Sequence, residues 1–333
     1  MERNTVQLNF ISRIREMLPK NYSLVDEIAD LLDVSKDSAY RRIRGETALT
    51  IDEIVILCNR FKISLDSFLQ DDLGSVTFGY GRVECSEKGF INYLESIAND
   101  LERISKAEQK EIYYAAEDIP IFHHYRFPGL AKFKMFYWMK SVLNVPDLEK
   151  QKYNPALIND EILDIGKRIQ ELYTSIPSVE IWTDVTIISL LKQIEYYWET
   201  GLFRSRDDAI SVCNEAAEEF EFINHQAELS TKYLKEADKF TNENNFALYY
   251  SDIEINNNCI LVTANDMKVV YLTHNTFNKI STTNVRFCED TYDWFRNLIK
   301  KAVLISGVSE KQRVQYFRKV NSWLDETRNR IIS

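Results

Sequence analysis

Residues 23–45, SLVDEIADLLDVSKDSAYRRIRG, read as two short helices joined by a tight turn. Ser23 is placed to accept a backbone N–H at the start of the first helix, with Asp26 three residues on as in a capping box. Ile28, Leu31 and Leu32 recur behind it at helical spacing. Asp33 ends that helix at a position that needs a left-handed residue, a conformation aspartate tolerates better than most. Val34 plugs the corner, Ser35 caps the second helix, and Ala39 and Ile43, four apart, form its inner face. Ala29 is small where the two helices cross, so their backbones can approach closely. Lys36, Tyr40, Arg41, Arg42 and Arg44 are left to project outward.

This is the helix-turn-helix arrangement, whose second helix enters the major groove of DNA. The residues resemble those of the lambda-repressor-like family, also called the Cro or XRE type, of bacterial transcription regulators. The resemblance continues past the motif. Gly45-Glu46 follows the recognition helix, Thr50 with Glu53 makes a second capping box, and residues 51–69, IDEIVILCNRFKISLDSFL, look like the family's closing helices. It covers about the first seventy residues. Family members usually carry an apolar residue where Arg42 stands, whereas here Ile43 is the apolar one. The resemblance implies a five-helix DNA-binding domain over residues 1–71 and a homodimer on a double-stranded operator with two half-sites. Ser35, Lys36, Asp37, Ser38, Tyr40, Arg41, Arg42 and Arg44 are the candidate contacts. Arginine suits the O6 and N7 of guanine, lysine and the helix N-terminus suit phosphate, and Tyr40 suits either a thymine methyl or a phosphate; which residue does which stays open.

Upstream, Leu8, Ile11, Ile14 and Leu18 share one helical face, and Pro19 ends the helix. Downstream of Leu69, residues 70–89 hold four of the nine glycines and show no helical period, so residues 72–88 read as a linker or short strand passage. Residues 89–333 then read as a mainly helical regulatory or dimerisation domain. Phe90, Leu94, Ile97, Leu101 and Ile104 form a short heptad seam, either packed within the domain or used as a dimer contact. EIYYAAEDIPIFHHYRF, residues 111–127, suits one or two short strands or an irregular connection. LAKFKMFYWMKSVL, residues 130–143, is apolar nearly all round and reads as a buried helix, with a ligand-pocket lining as the alternative.

From Pro155 to about Asp238 the pattern is helix after helix, with Trp182, Val185, Ile188, Leu191 and Ile194 assigned to one of them. No tetratricopeptide residue pattern is present. Residues 246–273 alternate between two asparagine-rich turns, which predicts three antiparallel strands. Helices are expected over residues 291–304 and from Ser309 onward. The expected fold class is therefore mainly α, an all-α chain apart from this small antiparallel β element.

The 45% hydrophobic content, with 18 Tyr, 18 Phe and 5 Trp, excludes a disordered chain. The net charge of −10 argues against DNA contact over most of the surface, but Lys36 to Arg44 carries four basic residues and one acidic one. A short positive stripe on an acidic body follows. Cys58, Cys85, Cys213, Cys259 and Cys288 are odd in number and far apart, which reads as free thiols in a reducing cytosol. No apolar run reaches the eighteen or so residues that span a bilayer, and residues 1–19 carry no signal-peptide pattern, so a cytoplasmic protein is expected.

His123-His124 invites a metal reading, but neighbours in an extended segment face opposite ways and cannot share one ion. There is no G-x-S-x-G, Walker loop or dinucleotide fingerprint, so neither an enzyme nor a cofactor is expected. The reading is a one-component DNA-binding transcription regulator whose C-terminal domain senses a small-molecule, peptide or protein effector, or dimerises. Two rivals are a peptide-sensing regulator with a helical-repeat receptor domain, and an interaction scaffold whose helix-turn-helix binds no DNA.

Overall fold

The computed structural model describes residues 5–18, 22–61, 63, 75–235 and 244–333. The chain divides into two compact units, Met1–Thr77 and Phe78–Ser333. In the first, α1 (Thr5–Met17), α2 (Leu24–Leu32), α3 (Lys36–Ile43) and α4 (Ile51–Phe61) close on a core that includes Phe10, Ile11, Ile14, Ile28, Ala39 and Leu57. Local chemistry sets the boundaries. Ser23 Oγ accepts the Asp26 N–H at 3.3 Å, and Asp33 takes φ 50° and ψ 51° at the end of α2. Ser35 Oγ accepts the Ser38 N–H at 3.2 Å to start α3, and Gly45, at φ 72°, turns the chain away after it. Thr50 and Glu53 exchange the two bonds of a capping box at the start of α4. The expected helix end at Pro19, the fifth helix over 64–69 and the domain boundary near residue 71 lie outside the described residues.

The larger unit opens on a two-residue strand, β1 (Gly79–Tyr80), and a long helix, α5 (Glu87–Ser105), capped by Ser86. Next come β2 (Lys110–Ala116), α6 (Ile121–His124), α7 (Pro128–Tyr137), α8 (Asp160–Thr174), β3 (Ser178–Trp182), α9 (Asp184–Glu199), α10 (Arg206–Leu229) and β4 (Phe246–Tyr250). The chain ends with β5 (Cys259–Ala264), β6 (Met267–His274), β7 (Asn278–Thr282), α11 (Val285–Lys301), β8 (Val303–Leu304) and α12 (Glu310–Ile332). These strands form one sheet in the order β1-β7-β6-β5-β2-β3-β4-β8.

An eight-stranded mixed sheet replaces the small antiparallel element, and the mainly α, all-α expectation is corrected to an α/β fold. The central strands β2, β3 and β4 run parallel, and the pairings outside them are antiparallel. Parallel neighbours need crossovers, supplied by α6 to α8 between β2 and β3 and by α9 and α10 between β3 and β4. Both faces of the sheet are covered. Ile112, Tyr114 and Ala116 of β2 point into the main helical core, while Tyr113 and Ala115 point the other way, into the cluster beneath α11.

The misreading has a physical cause. SVEIW at 178–182 is a five-residue strand buried on both faces, so it carries no alternation that exceeds the helical pattern beside it. Trp182, assigned from spacing to a helix, is the last residue of β3, and α9 begins only at Asp184. Residues 121–124, read as extended or irregular, form the short helix α6. The heptad seam of α5 is spent inside its own unit, where Phe90, Leu94, Leu101 and Ile104 are buried and α5 packs on α8. Gly166 on α8 permits a close approach: a Cβ there would lie 2.1 Å from the Tyr125 ring.

Candidate functional site

Helix α3 separates its residues cleanly. Ala39 and Ile43 are buried against α1, α2 and α4, while Lys36, Asp37, Tyr40, Arg41 and Arg44 are exposed. Those five positions fall on one side of the helix, since 36, 37, 40, 41 and 44 are spaced by three, four or one residue. The exposed cations meet surface acids: Lys36 Nζ lies 2.7 Å from Asp26, and Arg44 Nη1 and Arg41 Nε lie 3.3 and 4.0 Å from Glu46. Such pairs are worth little and exchange readily for another anion. The Arg44 guanidinium also sits 5.4 Å from the Tyr40 ring centroid.

Ser35 and Ser38 hold the helix. Ser35 is its N-cap, and the Ser38 hydroxyl accepts from Arg42 Nη1 at 2.5 Å. Arg42 is turned inward, with 14% of its side chain exposed, and donates to Glu53 Oε1 from Nε at 3.1 Å and Nη2 at 2.8 Å. The Arg42 hydrogen bond, against the opposing effect of burial, holds the Glu53 carboxyl below its ordinary value. Arg42 thus fastens α3 to α4.

Sequence reasoning passed over Gln7, which does as much. Its Nε2 donates to Arg42 O at 2.8 Å and Thr47 O at 2.9 Å, and its Oε1 accepts the Leu49 N–H at 3.1 Å. One side chain on α1 therefore fixes the loop after α3, and the sequence signal was only a polar residue near the start of an amphipathic helix.

In the larger unit the two histidines go to separate buried carboxylates. His123 Nε2 lies 3.0 Å from Glu180 on β3, and His124 Nδ1 lies 2.9 Å from Glu219 on α10. Glu180 also accepts from Tyr173 OH at 2.5 Å and Trp182 Nε1 at 2.8 Å. Burial pushes the Glu180 carboxyl up, and His123, Tyr173 and Lys232 outweigh it, so the group stays below its ordinary value. Lys232, fully enclosed, donates to the carbonyls of Tyr173 and Ile176 at 2.9 and 2.6 Å, and burial pushes its ammonium down to about 7. Among the described residues no group of three or more His, Cys, Asp or Glu is arranged to hold a metal ion. This polar network ties α6, α8 and α10 to the sheet.

A cavity of about 120 Å³ lies instead between α5 and the sheet, beside the carboxyl end of β2. Tyr93, Tyr114, Phe122, Trp138, Tyr271 and Phe277 line it, with Ile97, Ile260 and Val262 between them. Trp138 is delivered by a π-helical turn, Trp138–Val142, that widens the end of α7. The crevice outside the carboxyl end of a parallel strand, where the chain later returns to the strand's other side, is where open α/β sheets bind ligands.

Comparison with protein-family models, with curated proteins and with solved structures finds no match to this chain. Among the described residues, no helix is long and apolar enough to cross a membrane.

Proposed function

We propose that the chain is a sequence-specific DNA-binding transcription regulator of the one-component type, with α3 as its recognition helix and the α/β unit as its effector-sensing or dimerising part. The observation that carries this is the division of labour on α3. Ala39, Ile43 and Arg42 fix the helix, while Lys36, Tyr40, Arg41 and Arg44 stand free to leave their surface acids for phosphate and base edges. Asp26 and Glu46 give way to phosphate on binding, and affinity falls with salt in proportion to the number of phosphates contacted. Two copies present two such helices to a double-stranded operator with two half-sites, and an effector that prefers one arrangement of the copies shifts operator affinity. A cytoplasmic location and absence of membrane partners belong to the same reading.

The test is selection of random duplex DNA by the full-length protein at two salt concentrations. An enriched palindrome with half-sites about one helical turn apart, and affinity that falls with salt, supports the reading. Failure to enrich any sequence overturns it and leaves the interaction scaffold. The helical-repeat receptor falls with the all-α expectation, because an eight-stranded sheet fills the place of stacked helical repeats.

A further inference from the structure

We infer that the cavity beneath α5 is a binding site for a small, uncharged, single-ring aromatic molecule carrying one hydrogen-bonding substituent, with the Tyr114 hydroxyl as its polar anchor. Size comes first. A cavity of about 120 Å³ is close to the ~150 Å³ of an engineered apolar cavity that takes up benzene. Shape and chemistry follow from the walls. Six aromatic rings surround it, and Phe277 is held in place by stacking on Trp138 at 5.9 Å and by an edge contact with Tyr93 at 5.1 Å. Ring walls of this kind suit a flat apolar guest through stacking and edge contacts.

Tyr114 supplies specificity. It is 6% exposed and lines the cavity, and among the described residues its hydroxyl has no hydrogen-bond partner. Tyr93, on the opposite wall, has already spent its hydroxyl on Phe277 O at 2.6 Å. That hydroxyl is not sealed in the wall but faces the cavity, so a guest's polar group takes the place that water fills in an empty site. Burial, with Asp118 nearby, pushes the Tyr114 phenol well above its ordinary value, so the anchor is neutral.

The charges around the cavity argue for a neutral guest. Asp118 is bonded to Lys134 Nζ at 2.7 Å, and Asp100 is paired with Lys279 and Arg103. No lining charge is left for an ionic ligand to answer, and burying one would go uncompensated. The turn that carries Phe277 is strained. Phe277 N–H donates back to Asn275 O at 3.1 Å across Thr276, whose φ of 78° makes this a γ-turn at a β-branched residue. Strain of this kind collects at ligand clamps. Any effector role of the guest rests on the regulator proposed above; its binding does not.

The experiment is titration calorimetry on the full-length protein without DNA, using phenol and its near-isostere toluene as probes. Phenol is expected to bind at one site per chain and toluene about fivefold more weakly, the worth of one hydrogen bond. Tyr114→Phe should drop phenol below toluene, because the guest's hydroxyl is then enclosed without a partner, and should leave toluene unchanged or tighter, and Ile97→Trp, which fills the space, should abolish both. Wild-type protein that binds neither probe, or binding that survives Ile97→Trp, overturns the site. Phenol affinity undiminished in Tyr114→Phe overturns the anchor. A chain that binds phenol but selects no DNA keeps the cavity and loses the regulator, and the reverse result loses only the cavity.

Discussion

Three neighbouring arginines on one short helix should respond to mutation in two different ways. Arg42 and Glu53 each have 14% of their side chain exposed, and Arg42 makes four bonds of 2.5 to 3.3 Å to Ser38 and Glu53. Arg42→Ala leaves the Glu53 carboxylate with only the Thr50 cap. A charged bond in a half-buried setting is worth less than the 3–5 kcal/mol of a fully buried pair, so a loss of about 2 kcal/mol follows. Arg41 and Arg44 have side chains 59% and 62% exposed and share only Glu46, so removing both should cost about 0.5 kcal/mol or less.

Hydrogen exchange on the full chain separates the two classes. Arg42→Ala should raise exchange across 36–61 by about 30-fold, whereas the double variant Arg41→Ala, Arg44→Ala should leave it within about threefold. On the selected operator, where two copies lose four arginines, the double variant should bind about 100-fold more weakly and lose up to about 3.6 from its salt slope, about 0.9 for each arginine that meets phosphate. Glu53 adds a pH signature. Its folded value lies below 4.5, so its contribution is complete above pH 4.5 and is lost as pH falls through the lowered value, a loss larger in wild type than in Arg42→Ala, which keeps the Thr50 cap. Equal loss of protection in both variants, or operator binding unchanged in the double variant, would refute the division of roles on α3.

Two further outcomes concern the larger unit. Gly166→Ala puts a methyl 2.1 Å from Tyr125 and should lower stability by about 1–3 kcal/mol, read as a fall in the unfolding midpoint of that unit; an unchanged midpoint would mean the Tyr125 ring has room to move. Lys232, near 7 when folded and 10.5 when free, binds more protons unfolded than folded between those values, so stability rises with pH there. Wild type should gain about 1.4 kcal/mol per pH unit relative to Lys232→Met between pH 7.5 and 9.5, and a flat difference would show that the buried amine is not depressed.

How much of this was legible depended on how far apart the cooperating residues lie. The caps at Ser23, Ser35 and Thr50 and the left-handed Asp33 each act within three residues, so spacing alone predicted them, and the structure has them all. The Arg42–Glu53 pair spans eleven residues and the Gln7 clamp up to forty-two; both halves were visible, but nothing local joins them. The sheet escaped for another reason. A strand covered on both faces is a short apolar run, and between helices it borrows their periodicity, as Trp182 did.

His123 shows the same limit from the chemical side. Its role follows from Glu180, which arrives 57 residues later on a strand that spacing had not revealed. The cavity lies further still beyond local inference, because its walls come from α5, β2, the π turn after α7, β5, β6 and the loop before β7, and Tyr93 bonds a carbonyl 184 residues away. Of those aromatics only Trp138 lies in a stretch, residues 130–143, for which a pocket lining stood as the alternative to core, and no local pattern joined it to the others. Only the closure of β5 and β6 onto β2 sets the Tyr114 hydroxyl against a space. A binding site of this kind is a property of the topology, and it becomes readable only when the parallel strands have been recognised.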